Sequence, residues 1–237
     1  MRFEDTSVYN IYNAILGARN PKNSWGKSDS VFKGYNGKIE NTEIGKNDMQ
    51  LAQSLIKAGS EHRKFMRQIF VSVDITAPLY WWKEFDTYKV GTVANSTSTM
   101  HKLASTPITK ECFEMDDYYA VPEINMMWKD LIDFLEILRK KNNELIKDAK
   151  RLEEIKEFDE SKKATLMAKK YWKELIRLLP ESWLQKRTVT MDYENLLAMC
   201  SKGQRRFHKL TEWSKSFIDW ARTLPYAQEL IFFDEIL

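Results

Sequence analysis

The segment from Ile69 to Phe85 constrains the fold more than any other part of the chain. Its first seven residues, Ile69–Ile75, carry aliphatic side chains at every second position, and this period of two predicts a half-buried strand. Ala77 and Pro78 follow, and proline is tolerated in the first turn of a helix because an N–H has no intrahelical partner there. The residues from Pro78 to Phe85 are apolar almost all round, which predicts a buried helix. We therefore expect a strand that passes directly into a buried helix.

Most of the remaining chain has the periodicity of helices. Apolar residues recur at helical spacing in several segments, some of which begin at a capping residue or end at glycine or proline. Helices are predicted over Ser7–Leu16, Asp48–Ala58, Pro122–Lys150, Glu160–Leu179, Asp192–Ser201 and Arg205–Thr223. A second strand is predicted over Lys186–Met191. Because no repeat or linker interrupts the chain, we expect one α+β domain over residues 1–237, rich in helix and with a small central sheet.

Two polar segments have different expected roles. The stretch from Gly17 to Lys46 shows no clear period, and unstructured loops of that length are usually functional or mobile. Its aromatic residues predict that it folds over a surface. The segment from Arg139 to Lys163 is highly charged, with pairs four residues apart such as Glu136 and Lys140, which is typical of exposed helices. We expect the helices between residues 122 and 179 to form a charged, solvated hairpin.

Composition and charge exclude several classes of protein. The net charge of +3, from 37 basic and 34 acidic residues, is too balanced to favour nucleic acid as a partner. No apolar run approaches the roughly 20 residues of a membrane span, and the first residues lack the apolar core of a signal peptide. Cys112 and Cys200 lie far apart, which favours free thiols in a reducing compartment over an isolated disulfide bridge. We expect a cytoplasmic protein without a metal site, because its three histidines have no ligands at metal-binding spacing.

Two sets of residues carry a resemblance to a known family. The first is Leu55–His62, followed by the strand, Ala77-Pro78, an aromatic helix and a polar loop. The second is Leu179-Pro180, which stands twelve residues before Asp192, with His208 and Glu212 further on. In order and spacing these resemble the flavin-dependent thymidylate synthases (ThyX). That family has an L-x-K-x-G helix end, an R-H-R-x-x-S-x-N-x-x-S-x-R signature, a Leu-Pro before Thr-Val-Asn-Ala-Arg, and a His-x-x-x-Glu element.

The signature of that family is altered in this chain. Counted without gaps from Ala77-Pro78, the R-H-R triplet falls on Thr87, Tyr88 and Lys89. A shift by one residue restores the Asn and Ser positions as Asn95 and Ser98, but it does not restore the triplet. Further along, the family's substrate arginine falls near Gly203 or Gln204, and the Asn of Thr-Val-Asn is replaced by Asp192.

The resemblance implies ligands and site residues. It implies FAD and a pyrimidine deoxynucleotide of the dUMP type, with NADPH and methylenetetrahydrofolate as co-reactants if the protein is an active methyltransferase, and assembly as a homotetramer. Arginines suit such ligands because their planar forks match phosphate oxygens. The residues it proposes are Arg205 and Arg206 as catalytic, His62, Lys89, Thr92, Asn95, Asp192 and His208 as flavin-binding, and Thr97, Ser98 and Gln204 as substrate-binding.

Plain structural explanations compete with several of these assignments. The segment Lys89–Ser98 has the composition of an anion-binding loop but also of many surface loops. His62 follows a helix end, where the helix dipole favours it in any case. Tyr80, Trp81 and Trp82 could stack on a flavin but are more typical of a core or a subunit interface. Two hypotheses stay open: a divergent flavin-dependent enzyme, or an inactive scaffold that serves as a nucleotide-binding or protein-interaction module.

Overall fold

The computed structural model describes residues 1–35, 38–115 and 121–235, and it leaves the side chains of residues 34–42, 101–102 and 206–207 undescribed. The chain forms two compact units. The first unit comprises Met1–Thr76, Lys83–Asn95 and Arg187–Leu237, and the second comprises Ala77–Trp82 and Ser96–Lys186. The assignment of the whole chain to one domain stays a prediction.

The described part of the chain is rich in helix and contains two small sheets. The strands are β1 (Arg2–Tyr9), β2 (Val31–Tyr35), β3 (Lys38–Glu43), β4 (Phe70–Pro78), β5 (Val93–Ser96) and β6 (Leu184–Asp192). The α-helices are α1 (Ile11–Gly17), α2 (Lys46–Lys57), α3 (Leu79–Phe85), α4 (Thr99–Lys102), α5 (Pro122–Glu154), α6 (Phe158–Arg177), α7 (Tyr193–Met199), α8 (Lys202–Phe207), α9 (Ile218–Arg222) and α10 (Ala227–Leu230). Within the described residues, no helix is long and apolar enough to cross a membrane.

The predicted central strand and buried helix are confirmed. The larger sheet has the strand order β1-β4-β6-β5, and β1 runs antiparallel to β4, with Val8 opposite Val71. Ile69 and the aliphatic residues of β4 that alternate after it are all at most 1% exposed. Directly after β4, α3 buries Trp81, Trp82 and Phe85 almost completely. The period of two and the run of apolar residues therefore gave the correct elements at this position.

Three predicted elements were wrong in type or length. Residues from Ser7 to Tyr9 end β1 rather than begin a helix, because β1 pairs with β4 and this pairing overrides the helical spacing of Val8 and Ile11. The stretch from Gly17 to Lys46 is not a plain loop, because β2 and β3 form an antiparallel hairpin within it. The last predicted helix is interrupted at His208, whose backbone is extended, and a π-helix over Glu212–Phe217 precedes α9.

The second unit contains a helical hairpin, since α5 and α6 are antiparallel neighbours joined by a short turn. Its buried side covers an apolar cluster to which Leu103, Phe113 and Leu135 belong. Its outer face carries exposed ion pairs such as Lys141 with Glu144 at 2.9 Å. Such pairs contribute little to stability, so the apolar side holds the hairpin in place.

A buried ion pair organises the polar stretch of the first unit. Asp48 of α2 accepts a hydrogen bond of 2.5 Å from Nε of Arg19, and both side chains are at most 5% exposed. The same carboxylate accepts hydrogen bonds from the hydroxyl groups of Ser28 and Ser30. Burial alone would raise the pKa of Asp48, but these hydrogen bonds and the charge of Arg19 hold it below the ordinary 3.8. One carboxylate thus ties the stretch from Arg19 to Ser30 to the beginning of α2.

We expect Asp48→Asn to lower the free energy of unfolding at pH 7 by about 3 kcal/mol, because it leaves the buried Arg19 without a carboxylate. The contribution of Asp48 is fully present above its unfolded pKa of 3.8 and is lost as the pH falls through the lower folded pKa. Urea denaturation at pH 7 and at pH 3 should therefore show a smaller difference between variant and wild type at the lower pH. Asp133→Asn, on the exposed face of α5, is the control and should leave stability nearly unchanged.

Candidate functional site

A cavity of about 510 Å³ lies within the first unit. One wall is the loop after α3, and the other is the beginning of α7 together with Arg67 from the short helical turn Lys64–Gln68. Its lining residues are Arg67, Thr87, Tyr88, Val90, Gly91, Asp192, Glu194, Asn195 and Ala198. The loop at the position of the altered family signature and the segment that begins at Asp192, about a hundred residues apart in the sequence, therefore line the same cavity.

A capping box forms the α7 wall of the cavity. The Asp192 carboxylate accepts a hydrogen bond of 2.8 Å from the backbone N–H of Asn195, and the Asn195 side chain accepts one of 3.1 Å from the N–H of Asp192. Reciprocal bonds of this kind satisfy helix-end donors that have no partner within the helix. Burial raises the pKa of Asp192, and the hydrogen bond from Asn195 opposes this effect. Asp192, predicted as a flavin-binding residue, is a helix cap at the edge of the cavity.

The loop wall is fitted closely to that cap. The Asn195 amide donates a hydrogen bond of 2.7 Å to the carbonyl oxygen of Val90. Gly91 has a φ of +84°, and a Cβ at this position would lie 3.0 Å from the Asn195 side chain and 3.1 Å from that of Asp192. The backbone conformation therefore favours glycine at position 91, and the space around it is tight for any side chain.

Aromatic rings support the loop from the side of the core. The ring of Tyr88 lies 5.6 Å from that of Trp213, which stacks on the imidazole of His208 at 4.1 Å and an interplanar angle of 19°. Trp213 and His208 are both buried, and burial lowers the pKa of His208. Burial also raises the pKa of Tyr88, so its hydroxyl stays protonated at neutral pH. His208, a predicted flavin-binding residue, thus packs in the core next to the loop.

The charges at the cavity nearly balance. Glu194 accepts two hydrogen bonds from Nε of Arg63, at 2.8 and 3.0 Å, which compensate its charge. Arg67 is exposed, lines the cavity and favours the ionised form of Asp192 through its charge. Among the lining residues, Arg67 is therefore the side chain that can offer a positive charge to a bound anion.

Arg205, predicted as catalytic, is bonded to acidic residues of its own unit. Its guanidinium donates to the carbonyl oxygen of Cys200 and lies 3.3 Å from the carboxylate of Asp234 and 3.1 Å from that of Glu235. It also lies over the ring of Phe232, at 5.6 Å from the centroid. These contacts neutralise the charge that a substrate phosphate would need. The side chain of Arg206 lies outside the described residues.

The other predicted site residues are spread over the structure. His62 is exposed in the turn after α2, where its N–H bonds to the carbonyl of Gly59. Thr97 and Ser98 belong to the second unit, and the Thr97 N–H bonds to the carbonyl of Lys186 there. In the first unit, Lys89 and Thr92 lie in the loop after α3 and Asn95 lies in β5, whereas Gln204 lies in the first turn of α8.

Of the residues that line the cavity, only Asp192 had been predicted as a site residue, and Asn195 and Arg67 are among those missed. Asn195 stands three residues after Asp192, and that spacing is the signature of a capping box, so it could have been found. Arg67 gave no signal, because it lies in an irregular turn before β4 and outside every family motif. No group of three or more metal-binding side chains occurs among the described residues.

Comparison with known proteins identifies the fold. No family model matches the sequence, and no curated protein is significantly similar to it. Solved structures that share the fold are flavin-dependent thymidylate synthases. Two of them are ThyX from Helicobacter pylori in complex with FAD and dUMP, with TM-scores of 0.65 and 0.62 and 14% identity over 99% of this chain and 99% and 98% of their own. The predicted α+β, ThyX-like fold is thereby confirmed.

We expect Gly91→Ala to destabilise the protein by about 1–2 kcal/mol through its positive φ alone, and by more through contact with Asn195 and Asp192. Gly59→Ala is a matched control, because Gly59 also has a positive φ, of +103°, but nothing within 4 Å of the added Cβ. Urea denaturation of both variants measures the difference. Equal losses of stability would show that the contact with the capping box contributes nothing.

Proposed function

We propose that the chain is a divergent member of the flavin-dependent thymidylate synthases and binds FAD and a pyrimidine deoxynucleotide of the dUMP type. One observation carries the proposal: the altered signature loop and the Asp192 segment line one cavity in a ThyX-like fold. The two Helicobacter pylori structures of that fold are complexes with FAD and dUMP, which supports the choice of ligands. We also propose that the protein is cytoplasmic and assembles as a homotetramer.

The residues of the cavity fit a nucleotide. Its volume of about 510 Å³ lies within the range of small-molecule sites. Arg67 offers a planar fork to one phosphate, and Tyr88 adds a hydroxyl that can donate or accept a hydrogen bond. Lys89, exposed in the adjoining loop, adds a point charge for a second phosphate such as that of FAD. Because Arg63 compensates Glu194, that carboxylate repels a phosphate only weakly.

Reductive methylation of the nucleotide requires more than a site that binds it. In the family, reduced flavin supplies a hydride to a methylene-bearing uracil ring, with methylenetetrahydrofolate and NADPH as co-reactants. The protein would have to orient the ring and stabilise negative charge on its carbonyl oxygens with a preorganised donor. In this chain, the guanidinium of Arg67 and the hydroxyl of Tyr88 are groups of the cavity lining that could act as such donors.

A second candidate function is an inactive scaffold that binds a nucleotide or a protein partner. Its specific support is that neither alignment of the loop restores the R-H-R triplet, while Arg205 is bonded to Asp234 and Glu235. The charged hairpin formed by α5 and α6 is the surface that would contact a protein partner in this case.

We expect the purified protein to be yellow, or to gain stability with added FAD and with added dUMP. A ligand at one hundred times its Kd should raise the free energy of unfolding by about 2.7 kcal/mol. A colourless protein whose Tm neither ligand changes would contradict the proposal. Formation of the methylated nucleotide with dUMP, methylenetetrahydrofolate and NADPH would favour the enzyme, and binding without turnover would favour the scaffold.

We expect Arg67→Ala to weaken dUMP binding by about ten- to a hundredfold, the usual effect of losing a hydrogen bond to a charged group. The measurement is the dUMP dependence of Tm. Arg151→Ala, at an exposed arginine of α5 with 73% side-chain exposure, removes the same charge and should leave binding unchanged. Equal effects of both substitutions would place the phosphate elsewhere.

A further inference from the structure

We propose that Asn195 is a positioning residue that fixes the loop Tyr88–Thr92 and thereby sets the width of the cavity. The part of this inference that concerns ligand affinity rests on the proposed function. The part that concerns the loop itself does not depend on any ligand.

The Asn195 side chain connects the two walls of the cavity. Its Oδ1 accepts the N–H of Asp192 at 3.1 Å, within the α7 cap, and its Nδ2 donates to the Val90 carbonyl at 2.7 Å, across the cavity edge. Gly91 packs against the same amide, and a Cβ there would lie only 3.0 Å from Oδ1 and 3.3 Å from Nδ2 of Asn195. A side chain that belongs to one wall therefore holds the backbone of the other.

Apart from the bond to Asn195, few buried contacts hold the middle of the loop. Val90 is 90% exposed and Val93 is 72% exposed, so these apolar residues contribute almost no hydrophobic anchoring. Thr92 bonds back to the Tyr88 carbonyl through its hydroxyl at 2.9 Å, which closes the loop on itself. The segment is thus a closed turn, and the Asn195 amide bonds to its outer part.

The two ends of the loop are held independently of Asn195. On the N-terminal side, Asp86 pairs with Arg187 of β6 at 2.9 Å, and the ring of Tyr88 packs near Trp213. On the C-terminal side, Val93 begins β5 of the larger sheet. Loss of the Asn195 amide should therefore release the turn locally and leave the fold around it intact.

The chemistry of asparagine allows the positioning role to be separated from capping. Asn195→Asp keeps an oxygen that can accept the N–H of Asp192, but it removes the donor to Val90 and brings a carboxylate next to that carbonyl. Asn195→Ala removes both bonds. The aspartate variant keeps the cap but sets a second carboxylate beside Asp192, so its Tm should fall less than that of the alanine variant, which loses the cap.

Hydrogen exchange measured by mass spectrometry tests the inference directly. In Asn195→Asp, amides of the loop Tyr88–Thr92 should exchange at least fivefold faster, while those of α7 stay at wild-type rates. Asn13→Asp makes the same chemical change in the same unit, at an exposed asparagine that bonds only locally to Asn10 at 2.7 Å, and should change neither segment. Unchanged exchange in the loop, or an equal increase throughout α7, would overturn the inference.

A second measurement addresses the ligand. In Asn195→Ala, which unlike Asn195→Asp adds no charge that would repel a phosphate, the Kd for dUMP should rise at least fivefold, because the wall that contacts the nucleotide is no longer fixed. Faster loop exchange with an unchanged Kd would show that the loop does not shape the binding site. If the wild type binds no nucleotide, the proposed function fails, whereas the exchange experiment still decides whether Asn195 holds the loop.

Discussion

Hydrophobic burial along one face of β4 is the constraint on which the rest of the first unit depends. Val71, Val73 and Ile75 are almost completely buried, and a shift of one residue would expose all of them. The register of β4 is thereby fixed, and β6 lies next to it in the sheet and ends at Asp192. The position of the α7 cap, and with it one wall of the cavity, follows from strand packing rather than from the cap itself.

Ion pairs within the first unit limit the positive charge that is available at the cavity. Arg63 and Arg205 are each paired with carboxylates of the same unit, which leaves Arg67 as the charged donor that faces the cavity. Charge-assisted pairs of this kind hold the guanidinium groups in place and reduce their attraction for external anions. Within the cavity lining Arg67 therefore offers a positive charge to an anion, and a ligand with more than one phosphate would also need a cation from outside the lining, such as Lys89.

The sequence predicted the elements whose signals are local and repetitive. The alternation in β4, the apolar run of α3 and the charged hairpin of α5 and α6 were all found from spacing alone. It failed at Ser7–Tyr9, because pairing with β4 overrides the local helical spacing, and in the hairpin of β2 and β3, whose residues show no period. The partners of Arg205 could not be predicted, since Asp234 and Glu235 lie far along the chain and no periodicity connects them.

The close fit between Gly91 and the α7 cap limits which amino-acid substitutions this protein can accept during evolution. A Cβ at position 91 would lie 3.0 Å from the amide of Asn195, and the same amide donates a hydrogen bond to the backbone of the loop at Val90. The two positions are therefore coupled, and substitutions at one should be tolerated only on backgrounds that already differ at the other.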